Sequence, residues 1–394
     1  MITVATANKI IQEQVMPLTP VQLSLATAAG LVLATDVFAE QDIPAFAQSS
    51  MDGYAISFNG WKSSNTLIIN GEIPAGFGES LSFDPKTAVR IFTGAPVPDG
   101  ADTVVMQEKV TVENDTLLIG DENLSQGLNV RLKGSEIKAG ALALAAGTVL
   151  SPAAIGFLAG IGITHVNAYP KPTVGIIVTG KELQQPGRPL QPGQVYESNS
   201  ATLTAALAQL HIQQVTVFEA DDDLDILTGV LQNALAQSDV VLLTGGVSVG
   251  DYDFVLEASA KCGIDKLFHR IQQRPGKPLY FGKKENQLVF GLPGNPSSVL
   301  TCFYEYVLPA LQLLSKRAIG LHKLQVPLAK DFRKPAGLTH FLKGFYDGEK
   351  AATLDAQESY RLSSFAKANC LIKIEQDITH CNAGELVEIH LLPG

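Results

Sequence analysis

Between Val174 and Leu314, short continuous apolar runs alternate with segments of helical apolar spacing. This alternation restricts the fold more than any other feature of the chain. The runs are Val174–Val178, Gln214–Phe218, Val240–Leu243 and Leu288–Phe290, and helices are expected near Ser200–Leu210, Leu224–Gln237, Tyr252–Ala260 and Ser297–Leu314. A strand that is apolar throughout has no face to give to water, so it belongs in a parallel sheet covered by helices on both sides. The spacing predicts a doubly wound, mostly parallel α/β ligand domain over 171–317.

The chain has 394 residues, room for about two to four domains at the usual domain size. Near the N-terminus, the spacing of Ile10, Ile11 and Val15 predicts a helix over Asn8–Met16, a second helix is expected from Thr19–Pro20 to Gly30, and Leu31–Ala39 reads as extended. From Asp42 to Arg131 the pattern changes to short alternating runs broken by Gly, Pro and Asp, such as Thr66–Ile69, Ala88–Phe92, Thr103–Met106 and Thr116–Ile119. That is the pattern of a small β domain. It reads as an insertion over 45–135 into a discontinuous domain made of 1–44 and 136–170, whose first helix can pack on the α/β domain. The tail, 318–394, has strand-like runs at Lys323–Leu328, Leu371–Glu375 and Leu386–Leu392 and reads as a small sandwich or barrel.

Charge and cysteine content exclude several classes. The net charge of −10 carries no basic footprint for nucleic acid, so an anionic ligand needs a local pocket. The four cysteines show no CxxC spacing, and free thiols fit a reducing cytoplasm. Ala139–Pro170 is uncharged and long enough to span a bilayer, but glycines recur through it and Ser151–Pro152 is a helix start, so no membrane segment is expected. The N-terminus lacks the features of a signal peptide.

Ligands of an open parallel sheet bind beyond the carboxyl ends of its strands. Four loops fall there: Thr179-Gly180-Lys181-Glu182, Glu219 to Asp223, Thr244 to Asp253, and Gly291 to Ser298. Glycines such as Gly245, Gly246 and Gly250, with Ser248 among them, let backbone N–H groups approach an oxyanion. Neither a Walker motif nor a GxGxxG fingerprint occurs, so the expectation stops at a phosphate-bearing, nucleotide-like ligand. The carboxylates Glu182, Asp222, Asp251 and Asp253 face the same crevice and suit a hard cation such as Mg²⁺ bridging phosphate oxygens, although Asp is equally at home as a helix cap. Arg274-Pro275-Gly276-Lys277-Pro278 places two cations on a stiff turn that could clamp an anion. Asp52-Gly53 and Thr93-Gly94 read as turns, and no Ser–His–Asp, Cys–His or zinc-type histidine arrangement stands out.

Taken together, Ser50-Met51-Asp52-Gly53-Tyr54-Ala55, Thr93-Gly94-Ala95-Pro96-Val97-Pro98, Gly245 to Asp253, Pro275-Gly276-Lys277-Pro278 and Gly291-Leu292-Pro293-Gly294-Asn295-Pro296 make the chain resemble the molybdopterin molybdenumtransferase family. The resemblance runs over nearly the whole length. It implies an elongated discontinuous domain used for dimerisation, the inserted β domain, the α/β ligand domain and a C-terminal β-barrel. It implies a homodimer, with the site between the ligand domain of one subunit and the inserted domain of the other. The implied reaction takes adenylylated molybdopterin and molybdate, with Mg²⁺, to molybdenum cofactor and AMP. Residue by residue, the resemblance gives catalytic roles to Asp52, Thr93, Asp222 and Asp253, and metal ligation to Glu182, Asp251 and Asp253. Substrate contacts are implied for Arg131, Thr179, Gly245, Gly246, Ser248, Gly250, Arg274, Lys277, Pro278, Asn295 and Ser298, with Lys343 and Ser364 from the tail. Ser135-Glu136, Lys181, Glu197, Arg274 and Lys343 depart from the residues the family more often carries there. A scaffold that keeps the fold without turnover, as in the gephyrin E-domain's clustering role, and an adenylyltransferase acting one step earlier are the competing expectations.

Overall fold

The computed structural model describes residues 1–76, 83–245, 254–318 and 320–393. Its contacts divide the chain into two compact units, Gln22–Ala168 and the remainder, Met1–Val21 with Tyr169–Gly394.

The larger unit is built on a six-stranded sheet. Four parallel strands lie in the order Val215–Ala220, Val174–Thr179, Val240–Thr244 and Gln287–Leu292. Tyr280–Lys284 and Asp265–His269 extend it antiparallel. Alternate residues of one strand feed two cores: Val174, Ile176, Val240 and Leu242 join one, while Ile177, Val241 and Leu243 join the other. Helices cover both faces, which is why Val174–Thr179, Val240–Thr244 and Gln287–Leu292 are mostly apolar and buried, while the edge strand Val215–Ala220 exposes Thr216, Val217 and Glu219. The helix Leu224–Gln237 belongs to one side, whereas Val4–Gln14, Asn199–Gln209 and Pro296–Cys302 belong to the opposite side. The first and second parallel strands run outward in one direction and the third starts in the other. The order therefore reverses between Val174–Thr179 and Val240–Thr244.

Val4–Gln14 starts earlier than the apolar spacing predicts, because the Thr3 hydroxyl accepts the Thr6 N–H at 3.1 Å and caps it. Val4, Ala7, Ile11 and Val15 are its buried stripe. The helix expected from Thr19 to Gly30 is instead the strand Val21–Ser24 and one turn, Leu25–Ala28. Pairing with His165–Tyr169 overrides the local helical signal. The helix expected over Ser297–Leu314 holds its length but carries a π-helical turn at Phe303–Val307.

The tail forms an antiparallel sheet in the order Thr339–Tyr346, Cys370–Ile374, Leu386–Leu391, His322–Pro327. Gln273–Arg274 adds in parallel at one edge, and Ala351–Thr353 pairs with Thr339–Tyr346. A bridge between Leu328 and Ala351 ties the opposite edge back to that short strand.

In the smaller unit, six strands lie in the order Thr103–Met106, Gly53–Ile56, Thr87–Ile91, Leu67–Ile73, Thr116–Ile119, Val110–Glu113. Small cores form on both faces of this sheet. A third core gathers Leu25, Leu33, Ile137, Leu158 and Val166 from before and after it. There Ser151 caps the helix Pro152–Gly160 through the Ala154 N–H at 3.2 Å.

Candidate functional site

A cavity of about 960 Å³ opens in the larger unit where the strand order reverses. Thr179 and Thr244 end the two strands that flank the reversal, and both line it. Gly245 follows with φ +85°, and a Cβ there would stand 2.4 Å from the Thr179 carbonyl oxygen. Only glycine turns the chain this tightly beside the neighbouring strand. Of the residues implicated by sequence, the structure brings Thr179, Glu182, Gly245, Lys277, Pro278 and Asn295 to this one wall.

Lys277 owes its position to the turn before it. Gln273 is fully buried, and its amide donates to the carbonyls of Pro275 and Gly276 at 3.0 and 3.2 Å. Its oxygen accepts the Tyr306 hydroxyl. Gly276 has φ +85°, and a Cβ there would meet the Cys302 sulfur at 2.4 Å. The turn is thus pressed against the helix below, with Lys277 exposed at its outer side.

Arg274, Ser298 and Asp222 are not among the described residues of the cavity wall. Arg274 is exposed beside the C-terminal sheet, and Ser298 is buried in its helix. Asp222 accepts the Lys181 N–H at 3.3 Å, while Asp223 caps the following helix through Asp225 and Ile226. Glu197 likewise acts as a cap, taking the Asn199 and Ser200 N–H groups at 2.6 and 2.9 Å. Gly246, Ser248, Gly250, Asp251 and Asp253 lie outside the described residues.

The tail residues implicated by sequence make hydrogen bonds within the tail. Lys343 is 2% exposed, and its ammonium donates to the carbonyls of Ala356, Glu358 and Arg361 at 2.7, 3.3 and 3.0 Å. Its three N–H bonds are committed, and burial lowers its pKa. The Ser364 hydroxyl donates to the Ala356 carbonyl at 2.8 Å. Both side chains tie the 354–364 loop.

Two cavity residues carry a signal no motif gave. Asn199 donates through Nδ2 to the Gly294 carbonyl at 2.9 Å, which leaves its Oδ1 buried without a partner. The Thr244 hydroxyl is buried and unpartnered as well. Native interiors seldom leave such atoms unsatisfied. Tyr360 also reaches the wall, from the 354–364 loop.

In the smaller unit, Asp52 and Thr93 meet. One Asp52 oxygen accepts the Thr93 backbone N–H and hydroxyl, each at 2.8 Å. Those two bonds, and secondarily the Arg90 charge, hold the Asp52 carboxyl below its ordinary range. Arg90 is fixed by stacking near Tyr54 and Phe92, with ring centroids 5.1 and 5.0 Å away. Arg131 is exposed on a short strand paired with Gln48–Ser49.

No cluster of three or more His, Cys, Asp or Glu side chains that could hold a metal occurs among the described residues. Magnesium needs less from a protein, since one or two carboxylates suffice when ligand phosphates supply the remaining oxygens. Exposed Glu182 and the unpartnered Thr244 hydroxyl on the same wall are hard oxygen donors of that kind. No helix among the described residues is long and apolar enough to cross a membrane.

Three family models match in succession: MoeA N-terminal region (domain I and II) over residues 2–162, a probable molybdopterin binding domain over 175–313, and MoeA C-terminal region (domain IV) over 325–392. The chain is 35% identical to a molybdopterin molybdenumtransferase of Haemophilus influenzae, over 98% of each chain. It is also 35% identical to a Nostoc protein of the same name, over 94% of this chain and 88% of that one. A crystal structure of a molybdopterin biosynthesis protein from Pyrococcus horikosii superposes with a TM-score of 0.85 at 28% identity, with both chains covered completely. On this full-length likeness, the chain belongs to the molybdopterin molybdenumtransferase family.

Proposed function

We propose that the chain inserts molybdenum from molybdate into adenylylated molybdopterin and releases AMP and molybdenum cofactor. The single observation that carries this reading is the large cavity at the sheet's reversal, lined by Gly245, Lys277 and Asn295, in a chain with full-length relatives of that name.

The finer assignments are ours. The Lys277 ammonium, with Arg274 of the same turn and with Ser298, is assigned to the anionic oxygens of molybdate and phosphate. The backbone around Gly245, Gly246, Ser248 and Gly250 is assigned to the phosphates, with Thr179, Pro278 and Asn295 shaping the wall. Arg131 is kept as a substrate contact of the smaller unit. Lys343 and Ser364 are assigned to building the wall from behind. Mg²⁺ is assigned to Glu182 with Asp251 and Asp253, and when bound it would supply charge neutralisation to the pyrophosphate. Thr93 donates to Asp52 twice and favours its ionised form, so the carboxylate is suited to orient a water by accepting a hydrogen bond from it. Asp222 is kept as a supporting carboxylate. Water adds across the pyrophosphate and leaves AMP and the pterin phosphate. The Leu328–Ala351 bridge supports reading the tail as a barrel. We also propose four domains, a cytoplasmic location, and a homodimer in which Asp52 and Thr93 complete the ligand cavity of a second copy.

The test is molybdate-dependent release of AMP from adenylylated molybdopterin by the purified chain with Mg²⁺. Release only in the presence of molybdate is expected. Its absence would favour a non-catalytic scaffold, and formation of adenylylated product from ATP would favour an adenylyltransferase.

A further inference from the structure

The 354–364 loop brings an aromatic ring to the cavity on an unusually fixed support. Tyr360 lines the wall yet is 60% exposed. A mobile loop could leave a tyrosine in water by default, but this loop is fastened at several points. Lys343 holds three of its carbonyls from beneath. The Gln357 amide donates to the carbonyls of Lys343 and Leu354 at 2.8 and 2.7 Å. Ser359 is pinned to the turn across the cavity, its carbonyl accepting the Ser297 N–H and its hydroxyl accepting the Asn295 amide, each at 3.0 Å. The loop backbone that carries the ring is therefore fixed, so little backbone freedom is left to lose on binding.

On the same wall, the buried Asn199 Oδ1 accepts no hydrogen bond, and its amide nitrogen is already committed to Gly294. A buried acceptor without a donor is costly, and a ligand N–H would relieve it. An exposed ring and a buried acceptor on one cavity match the two surfaces of a planar nitrogen heterocycle, its face and its N–H edge. The geometry points to Tyr360 and Asn199 as the residues that recognise such a ring, Tyr360 by stacking and Asn199 by accepting from its edge. Lys343 is the positioning residue that holds the loop. The inference rests on the transferase reading for the ligand's class, whose two planar rings are adenine and pterin.

The test is calorimetric titration of the full chain with AMP, 6-hydroxymethylpterin and ribose 5-phosphate. Tyr360→Ala is expected to weaken one of the two ring-bearing probes roughly tenfold and to leave ribose 5-phosphate within about twofold, the size expected of one lost stack. Tyr360→Phe should keep the affinity, and Asn199→Ala should weaken the same probe. Whichever ring responds is the one seated there. Thermal melts of each variant separate binding from folding. Equal loss for ribose 5-phosphate, no loss for either ring, or wild-type protein that binds neither ring would overturn the inference. Failure of the transferase reading is scored separately, as missing molybdate-dependent AMP release.

Discussion

Gly276 shows how much of the site rests on single residues. Its φ of +85° excludes ordinary side chains, and a Cβ would collide with the Cys302 sulfur and come within 2.8 Å of the Gln273 amide. Gly276→Ala should therefore destabilise the protein by about 1–3 kcal/mol, through backbone strain and overpacking together. It should weaken anion binding further by tilting Lys277, a loss that phosphate titration below the melting range would measure. At this scale the sequence was readable where backbone demands left a motif, as at Gly245 and Gly276. It was silent at Asn199 and Tyr360. Their meaning lies in an unpartnered atom and an exposed ring, neither of which a residue pattern records. It was equally silent at Lys343, since a lone lysine in a strand gives no sign that its ammonium meets three carbonyls.

Elements were legible where one periodicity governed them. Three strands of the larger sheet, Val174–Thr179, Val240–Thr244 and Gln287–Leu292, could be read because both faces are buried, whereas the edge strand Val215–Ala220 has no fully buried residue. The one-turn helix Leu25–Ala28 could not, because a partner strand over a hundred residues away decides the conformation of Val21–Ser24. The π-turn at Phe303–Val307 was equally hidden, yet it carries buried Glu305, which bonds His390 on the last strand at 2.7 Å. His390 also bonds Glu388 at 2.8 Å, and Glu388 faces Lys373 at 3.3 Å. Burial alone would lower the His390 pKa, but Glu305, with help from Glu388 and against Lys323, raises it above its ordinary 6.5. A raised pKa stabilises the fold fully below the unfolded value of 6.5, and the contribution fades as pH climbs through the folded value. The thermal midpoint should accordingly fall on raising the pH above 6.5, and His390→Asn should flatten that slope. An unchanged slope in the variant would remove His390 as its source. The Lys343 anchor makes a second prediction for an element. Lys343→Met takes one donor from each of the carbonyls of Ala356, Glu358 and Arg361 while Ser364 still donates to Ala356, so a loss of about 1–3 kcal/mol in all is expected. Arginine should not rescue it, because a planar fork cannot replace a compact ammonium among three acceptors. A lowered melting temperature in both variants, with intact secondary structure by circular dichroism, is the expected result.

For the whole molecule, local patterns and full-length similarity give the family, but neither periodicity nor a motif encodes which copy of the chain supplies Asp52. The proposed homodimer makes this measurable. If Asp52 of one copy serves the Lys277 cavity of the other, Asp52→Ala and Lys277→Ala fail for different reasons and can complement each other. A mixed dimer then holds one site with both lesions and one with neither. Equal co-expression gives about half mixed dimers, each with one working site of two, so about a quarter of wild-type turnover should return for a two-fold symmetric pair. If both residues served a site within a single copy, every site in every mixture would keep one lesion. Activity would then stay at the level of the separate variants, and the shared-site proposal would fall while the cavity, its lysine and the family assignment stood. The measurement is AMP release from the co-expressed mixture, compared with each variant alone; in co-purified, doubly tagged heterodimer, where every dimer is mixed, about half of wild-type turnover should return.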